Sequence, residues 1–387
     1  MIIDNSLFIA LPNLVVFTCT ALLCYFLTFV CIQVSYGLDL LDYPSGRKSH
    51  KKPMPFLGGL AIFAAFWAVV ILGIWIAYIF GSNPPHVPYA HSIHRVVSVI
   101  FLTPKIVGIF LGSLVIVVTG LYDDKFKLSP LQKLFGQASA ALILMSFGLM
   151  INLATVLGPL GYVATFFWIL LIMNSFNFID SLDGHCAGVA LISCIIFFWI
   201  TQIIDQPMVG LFLIAFSGAL LGFLPHNFKP AKIFLGDNGS LLIGYMMAAF
   251  TLLCKYQTQN ATYATLFIPV LIFGVPIYDT VSVVSVRLSR GIAPWEGDRN
   301  HFAHRLVKIG MSDKVAVIFS YFIAFTIGHV AILTTQVNAF GALIVGITFI
   351  SIIGVIAFLE FYAAKSLRIS EKWTVKKHPK KQTGGSA

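Results

Sequence analysis

Apolar residues run along this chain in long blocks, with neither the alternation of a half-buried strand nor the single stripe of a surface helix. A helix that crosses a bilayer needs about 20 mainly apolar residues. Eleven stretches have that character, at about 8–34, 57–80, 104–121, 131–150, 159–178, 187–204, 208–225, 240–255, 263–286, 315–335 and 340–362. They predict an all-α, polytopic membrane protein with about 11 transmembrane helices, because a helix satisfies its own backbone groups inside lipid. The first block carries Asp4, lacks a basic leader and stays apolar too long for a signal-peptide core, so it is expected to remain as a span. Residues 1–365 read as a single integral-membrane domain and 366–387 as a basic, flexible cytoplasmic tail.

Composition supports this class: 58% of residues are hydrophobic and only 10% charged. The net charge of +10 is then an orientation signal. With the loop after the first span inside, 22 of the 25 cations fall on the inner side, and only Arg95, Lys105 and Lys255 fall outside. The positive-inside rule therefore puts the N-terminus out and the C-terminus in, with an odd number of spans. Nucleic acid is excluded as a partner by the same reading. Lys376, Lys377, Lys380 and Lys381 lie where a tail is solvated or meets anionic membrane lipid. Six cysteines without a C-x-x-C spacing read as apolar filler.

The acids follow the cations. Of 15, only Asp4 and Asp205 sit clearly outside, so motifs far apart in sequence converge on one cytoplasmic face. The densest is Asn-Ser-Phe-Asn-Phe-Ile-Asp-Ser-Leu-Asp-Gly at 174–184. Asn174 and Asn177 are expected on the last inner turn of span five, with Asp180 and Asp183 on the following loop facing one pocket. Ionisable groups at a membrane are costly and read as functional. Adjacent Asp123 and Asp124 need a cation between them, and oxygen-only surroundings suit Mg²⁺, with Mn²⁺ as a substitute. Ser129-Pro130 with Gln132 predicts a capping-box helix start that puts Lys133 on the first turn of span four. Phe234-Leu-Gly-Asp-Asn-Gly-Ser240 leads into span eight, where free N–H groups are expected to attract phosphate, Asp237 to hold a metal, and Asn238 or Ser240 to cap. Asp279 within span nine is expected to pair with another loop or a basic group. His301 and His304, between Arg299 and Arg305, are expected to form one cationic patch if helical. Three outer histidines, His86, His91 and His94, lack acidic or thiol neighbours and read as solvated.

Taken together these motifs resemble the polyprenyl-phosphate N-acetylhexosamine-1-phosphate transferases. The resemblance rests on Asp42-Tyr-Pro-Ser-Gly-Arg-Lys-Ser-His50 with Gly58-Gly59, Asp123-Asp124, the 174–184 and 234–240 motifs, and Asp298-Arg-Asn-His-Phe-Ala-His-Arg-Leu306, in the family's order. It implies transfer of a sugar 1-phosphate from a UDP-sugar to undecaprenyl or a related polyprenyl phosphate, releasing UMP, with Mg²⁺, in a bacterial cytoplasmic (inner) membrane. By the same resemblance Asp237 is the main metal ligand with Asp123 and Asp124 beside it, and Asp123, Asp124, Asp183 and Lys133 form the catalytic group. Lys133 meets the donor pyrophosphate. Asn177, Asp180, Asp183, Asn227 and Phe234 form the nucleotide side, and His301, His304 and Arg305 the loop that contacts the donor. His50 and Asn174 are carried over as substrate-binding residues. Ala303 departs from the form with adjacent histidines, which points away from the muramoyl-pentapeptide branch and toward transfer of N-acetylglucosamine 1-phosphate for surface polysaccharides.

Such a reaction brings two anions together, so positioning and charge neutralisation carry most of the rate. In-line attack by the lipid phosphate is expected, with a covalent aspartyl intermediate on Asp123 or Asp124 as the alternative. An ion-coupled transporter is the rival class, but its site is expected near the bilayer midplane rather than at one surface. Homo-oligomerisation is left open.

Overall fold

The computed structural model of the chain describes residues 5–44, 52–81, 104–151, 158–256, 263–298 and 300–377. His50, Arg299, the His86–His94 loop and the last ten residues lie outside them. The described chain is helical apart from two 2-residue strands, β1 (Leu41–Asp42) and β2 (Met54–Pro55), which pair antiparallel with Leu41 opposite Pro55.

The long helices are α1 (Asn5–Gly37), α2 (Gly58–Gly81), α3 (Pro104–Phe126), α4 (Pro130–Ser146), α5 (Pro159–Ile179), α6 (His185–Ile203), α7 (Pro207–Asn227) and α8 (Gly236–Leu253). A 3₁₀ turn and short α9 (Ile268–Ile272) precede α10 (Gly274–Ser289), then α11 (Phe302–Lys308), α12 (Asp313–Thr334) and α13 (Ala339–Lys377). Each of the eleven apolar blocks coincides with helix. Among the described residues eight helices are long and apolar enough to cross a membrane, and nine if the pair around Phe273 counts as one. Helix α4, at 17 residues, is short for a span, and α8 opens on a polar turn.

The ninth block, expected as one helix, is two, bent by 68° at Phe273. The reason is local: Pro276 lacks an N–H and its ring clashes with the carbonyl four residues earlier, at Ile272. Ser129 caps α4 with the anticipated box, its side chain accepting from the Gln132 N–H while Gln132 reaches back to the Ser129 N–H (2.9 Å).

Helix α8 is the axis of the fold. Every residue from Asn238 to Leu253 is buried, against α2, α3, α5, α6 and α7. The outer helices instead expose large apolar side chains such as Phe26, Trp75, Phe167, Phe322 and Phe358, which suits a hydrocarbon solvent. The chain is thus a multi-pass, all-α membrane protein. A second, smaller apolar cluster of Phe302, Leu306 and Ala316, joined by Tyr278 and Ile356, seats the seven-residue α11 on α10, α12 and α13.

Candidate active site

At one end of the bundle the C-terminal turns of α3 and α5 meet the N-terminal turns of α4 and α8. Helix α3 delivers two neighbouring carboxylates to different tasks. Asp124 reaches the start of α8, accepting the Asp237 N–H (2.8 Å), the Asn238 N–H (3.1 Å) and the Asn238 side-chain amide (2.7 Å). It is therefore the cap of that helix, supplied from another span. Asn238 is not the cap: its amide also donates to the Phe56 carbonyl (2.7 Å), and Ser240 back-bonds to Gly236 (3.1 Å). Nor are the first N–H groups of α8 open to phosphate, because Asp124 already satisfies two of them. Gly236 permits this closeness, since it has φ +74° and a Cβ would lie 2.7 Å from both Asp124 Oδ2 and the Phe56 carbonyl.

Asp123 faces the other way. Its Oδ2 is 2.9 Å from Lys133 Nζ, and its Oδ1 accepts the Leu128 N–H (2.9 Å). Lys133 also reaches Asp237 Oδ1 (2.8 Å), an oxygen shared with the Asn177 amide, which in turn donates to Ser240 (2.8 Å). One ammonium thus stands between two carboxylates, with Asp124 and Asp180 close by. Burial, and then the charges of Asp237, Asp124 and Asp183, hold the Asp180 carboxyl well above the usual carboxylate range.

Asp124 and Asp237 border an open cavity of about 530 Å³, with Asp123 and Lys133 behind them. Asp180, Asp183, Asn227, Phe234, Asp237 and His304 all line it. Asp183 accepts the Ala231 N–H (3.2 Å), and Asn227 accepts the Gly184 N–H (3.0 Å) while donating to the Ile233 carbonyl (3.0 Å). Asn227 therefore ties the 180–184 turn to the 228–235 loop, and residues of both line the cavity. The Tyr321 hydroxyl adds a second tie, donating to the Gly184 carbonyl (2.6 Å).

The loop after α10 closes the remaining side. Buried Asp279 accepts the Phe302 N–H at the start of α11 and pairs with His301 Nδ1 (2.8 Å), a pairing with another loop as anticipated. His301 does not join a bare cationic patch with Arg305. Its ring is hydrogen-bonded to Asp279, while Arg305 is bonded to Glu360 (2.8 Å) and Ser282 (2.8 Å). Burial opposes ionisation of Asp298 in this loop, but hydrogen bonds from Arg287 and Asn300 outweigh it and lower its carboxyl to about 2.

Among the described residues no three carboxylate, imidazole or thiol groups stand at metal-holding geometry. The donor set nevertheless fits a hydrated divalent cation. Its carboxylates offer oxygen only, and the single ammonium of Lys133 stands between Asp123 and Asp237 with Asp124 bonded at the same helix start.

The model of "Glycosyl transferase family 4" matches residues 106–255, the segment from α3 to the end of α8 that carries the carboxylate–lysine centre. A "probable undecaprenyl-phosphate N-acetylglucosaminyl 1-phosphate transferase" of Bacillus subtilis (strain 168) is 30% identical over 367 residues, 93% of each chain. The chain belongs to glycosyl transferase family 4. A decaprenyl-phosphate N-acetylglucosaminephosphotransferase of Mycobacterium leprae (strain TN) is 31% identical, covering 78% of each chain. An undecaprenyl-phosphate alpha-N-acetylglucosaminyl 1-phosphate transferase of Escherichia coli (strain K12) is 27% identical, covering 79% of each.

Within this family member the expected site residues separate by location. Asp123, Asp124, Lys133, Asn177, Asp180, Asp183, Asn227, Phe234, Asp237 and His304 gather at or behind the cavity, with His301 one position before α11. Asn174 does not join them. It exchanges amide hydrogen bonds with Gln137 (2.8 and 3.2 Å) in the α4–α5 seam, one helical turn before Asn177. Asn174→Leu is accordingly expected to lower thermal stability in detergent while changing the apparent KM for donor less than about threefold. A KM rise of tenfold or more in Asn174→Leu would place it in the substrate site. Asp42, the first residue of the 42–50 motif, also lines the cavity, and so do Lys127, Lys229 and Asp313, which motif reading passed over, Lys229 and Asp313 as an ion pair. Their signal was only their position in inner loops.

Proposed function

We propose that this protein transfers N-acetylglucosamine 1-phosphate from a UDP-sugar to undecaprenyl or a related polyprenyl phosphate, releasing UMP, as the first step of a surface-polysaccharide or cell-wall glycan. The observation that carries the reading is the convergence of Asp124 from α3, Asp180 and Asp183 from the turn after α5, and Asp237 from α8 on one cavity at one end of the bundle, with Asp123 and Lys133 directly behind Asp237. A transporter reading draws no support from this arrangement, because these acids sit at helix ends and not at mid-span.

The proposed topology is eleven spans, N-terminus out and C-terminus in, with the cavity at the cytoplasmic face of the inner membrane. It is supported by alternation: at the cavity end α1, α3, α5, α7, α10 and α13 finish, while α2, α4, α6, α8 and α12 begin.

In the proposed mechanism Lys133 and the His304 side of the cavity receive the donor diphosphate, and Asp180, Asp183, Asn227 and Phe234 border the nucleotide. Asp237 and Asp123 would hold Mg²⁺, with Mn²⁺ as substitute. That ion would offset the charge of the diphosphate and polarise the phosphoryl oxygens. Asp124 serves by holding Asp237 at the head of α8. The acceptor phosphate, ionised at neutral pH, attacks the sugar-linked phosphorus in line and UMP leaves. Direct attack is favoured over an aspartyl intermediate because Asp124 is engaged on both oxygens and Asp123 is bound to Lys133 and Leu128. Inversion at a chiral phosphorus is the expected stereochemical result, and net retention would overturn the one-step route.

A panel of UDP-N-acetylhexosamines assayed with polyprenyl phosphate tests the whole reading. UMP release with UDP-N-acetylglucosamine preferred is expected, and no release with any donor would reject it. Chelation by EDTA is expected to abolish release, with recovery on Mg²⁺ and partial recovery on Mn²⁺; activity that persists without divalent ions would remove the metal from the scheme.

A further inference from the structure

The last span carries no motif, yet one of its side chains is bound into the loop that closes the cavity. Glu360, at the inner end of the apolar part of α13, holds Arg305 Nε with Oε1 (2.8 Å) and accepts the Tyr278 hydroxyl on Oε2 (2.7 Å). It is largely withdrawn from solvent, its side chain only 14% exposed. Arg305 spends its other nitrogens on Ser282 Oγ (2.8 Å) and the Asn300 carbonyl. Its donors are thus used inside the protein, and unlike its neighbour His304 it does not line the cavity.

Helix α11 has seven residues, too few to persist unaided. Its placement therefore depends on what holds it: Asp279 at its first turn, the Phe302–Leu306 cluster beneath it, and the Glu360–Arg305 pair on its far side. The pair joins α11 to α10 through Tyr278 and Ser282, and to α13 through Glu360. Because His304 precedes Arg305 directly, a shift of Arg305 shifts His304 at the cavity wall.

We infer that Glu360 is a positioning residue for the donor-side loop: through Arg305 and Tyr278 it locks α11 against α10 and α13 so that His304 faces the cavity. Arg305 is on this view a strut and not a substrate contact. The inference rests on the transferase reading above, in that it takes the His304 side of the cavity as the donor side.

Wild-type protein in detergent is first assayed for UMP release, since its failure would strike the transferase reading and leave this inference unaddressed by kinetics. UDP binding to the same variants by calorimetry then supplies a readout that needs no turnover. Glu360→Gln keeps the shape and one acceptor, whereas Glu360→Ala removes both, and Tyr278→Phe removes only the hydroxyl bond. The expected result is a KM for donor and a Kd for UDP raised on the order of tenfold in Glu360→Ala, with a smaller rise in Glu360→Gln and a smaller change in kcat. The double variant Glu360→Arg with Arg305→Glu should recover part of the loss of either single change. Unaltered KM and Kd in Glu360→Ala, or a double variant no better than the sum of the singles, would overturn the inference. A loss of thermal stability with KM and Kd unchanged would equally reject it, reducing the pair to a structural contact.

Discussion

Asp237→Ala is expected to lower UMP release on the order of 1000-fold while leaving the helix that carries it in place. The two halves of this expectation come from different atoms. The Asp237 backbone N–H is held by Asp124, and that bond survives the substitution. The Asp237 carboxylate is the meeting point of Lys133 and Asn177, and its loss leaves Lys133 with Asp123 as its one carboxylate partner beside the Asn177 side-chain carbonyl oxygen. Thermal unfolding in detergent should therefore move by no more than a few degrees when turnover has nearly vanished. Asp237→Asn, which keeps the shape and removes the charge, should be nearly as inactive. Release within tenfold of wild type in either variant would remove Asp237 from the reacting centre.

Gly120→Ala is expected to damage fold and activity together. A Cβ on Gly120 would stand 2.2 Å from the Asn238 Cα and 2.3 Å from the Asn238 N, both backbone atoms that no rotamer change can move. Helices α3 and α8 would have to part, at a cost of about 3 kcal/mol or more. Asp124 lies one turn beyond Gly120, so the same separation pulls the cap off α8 and disperses the carboxylate centre. Gly73→Ala is the matched control, because nothing lies within 4 Å of its missing Cβ. Yield of folded protein and UMP release should both collapse in the first variant and neither in the second; wild-type behaviour of Gly120→Ala would mean that α3 and α8 do not pack this closely.

Much of the site was readable because it is local. The Ser129 capping box put Lys133 on the first turn of α4, and the change of chain direction after Ile179 put Asp180 and Asp183 on a turn facing the cavity, as expected. The errors have a common source. Asn174 sits three residues from Asn177 in the same motif, and nothing in the spacing says that one amide points to Asp237 and the other to Gln137 in a neighbouring helix. Asp124 looked equivalent to Asp123 for the same reason. Arg305 looked like an open cation because Glu360, its partner, lies 55 residues away in a span with no other signal. The bend at Phe273, in contrast, had a visible cause in Pro276 that its apolar surroundings concealed.

By itself the sequence determined that this chain is a many-helix membrane protein, and it gathered the motif acids at the ends of the apolar blocks. Those properties follow from composition along the chain, since lipid tolerates only apolar helices and charge must remain at their ends. Only the tertiary structure decided which carboxylate meets Lys133, which one caps α8, and that the last helix reaches Arg305 beside the cavity. Side-chain pairing depends on helix rotation and approach, which glycines and proline breaks set across distances in the chain that no local pattern records.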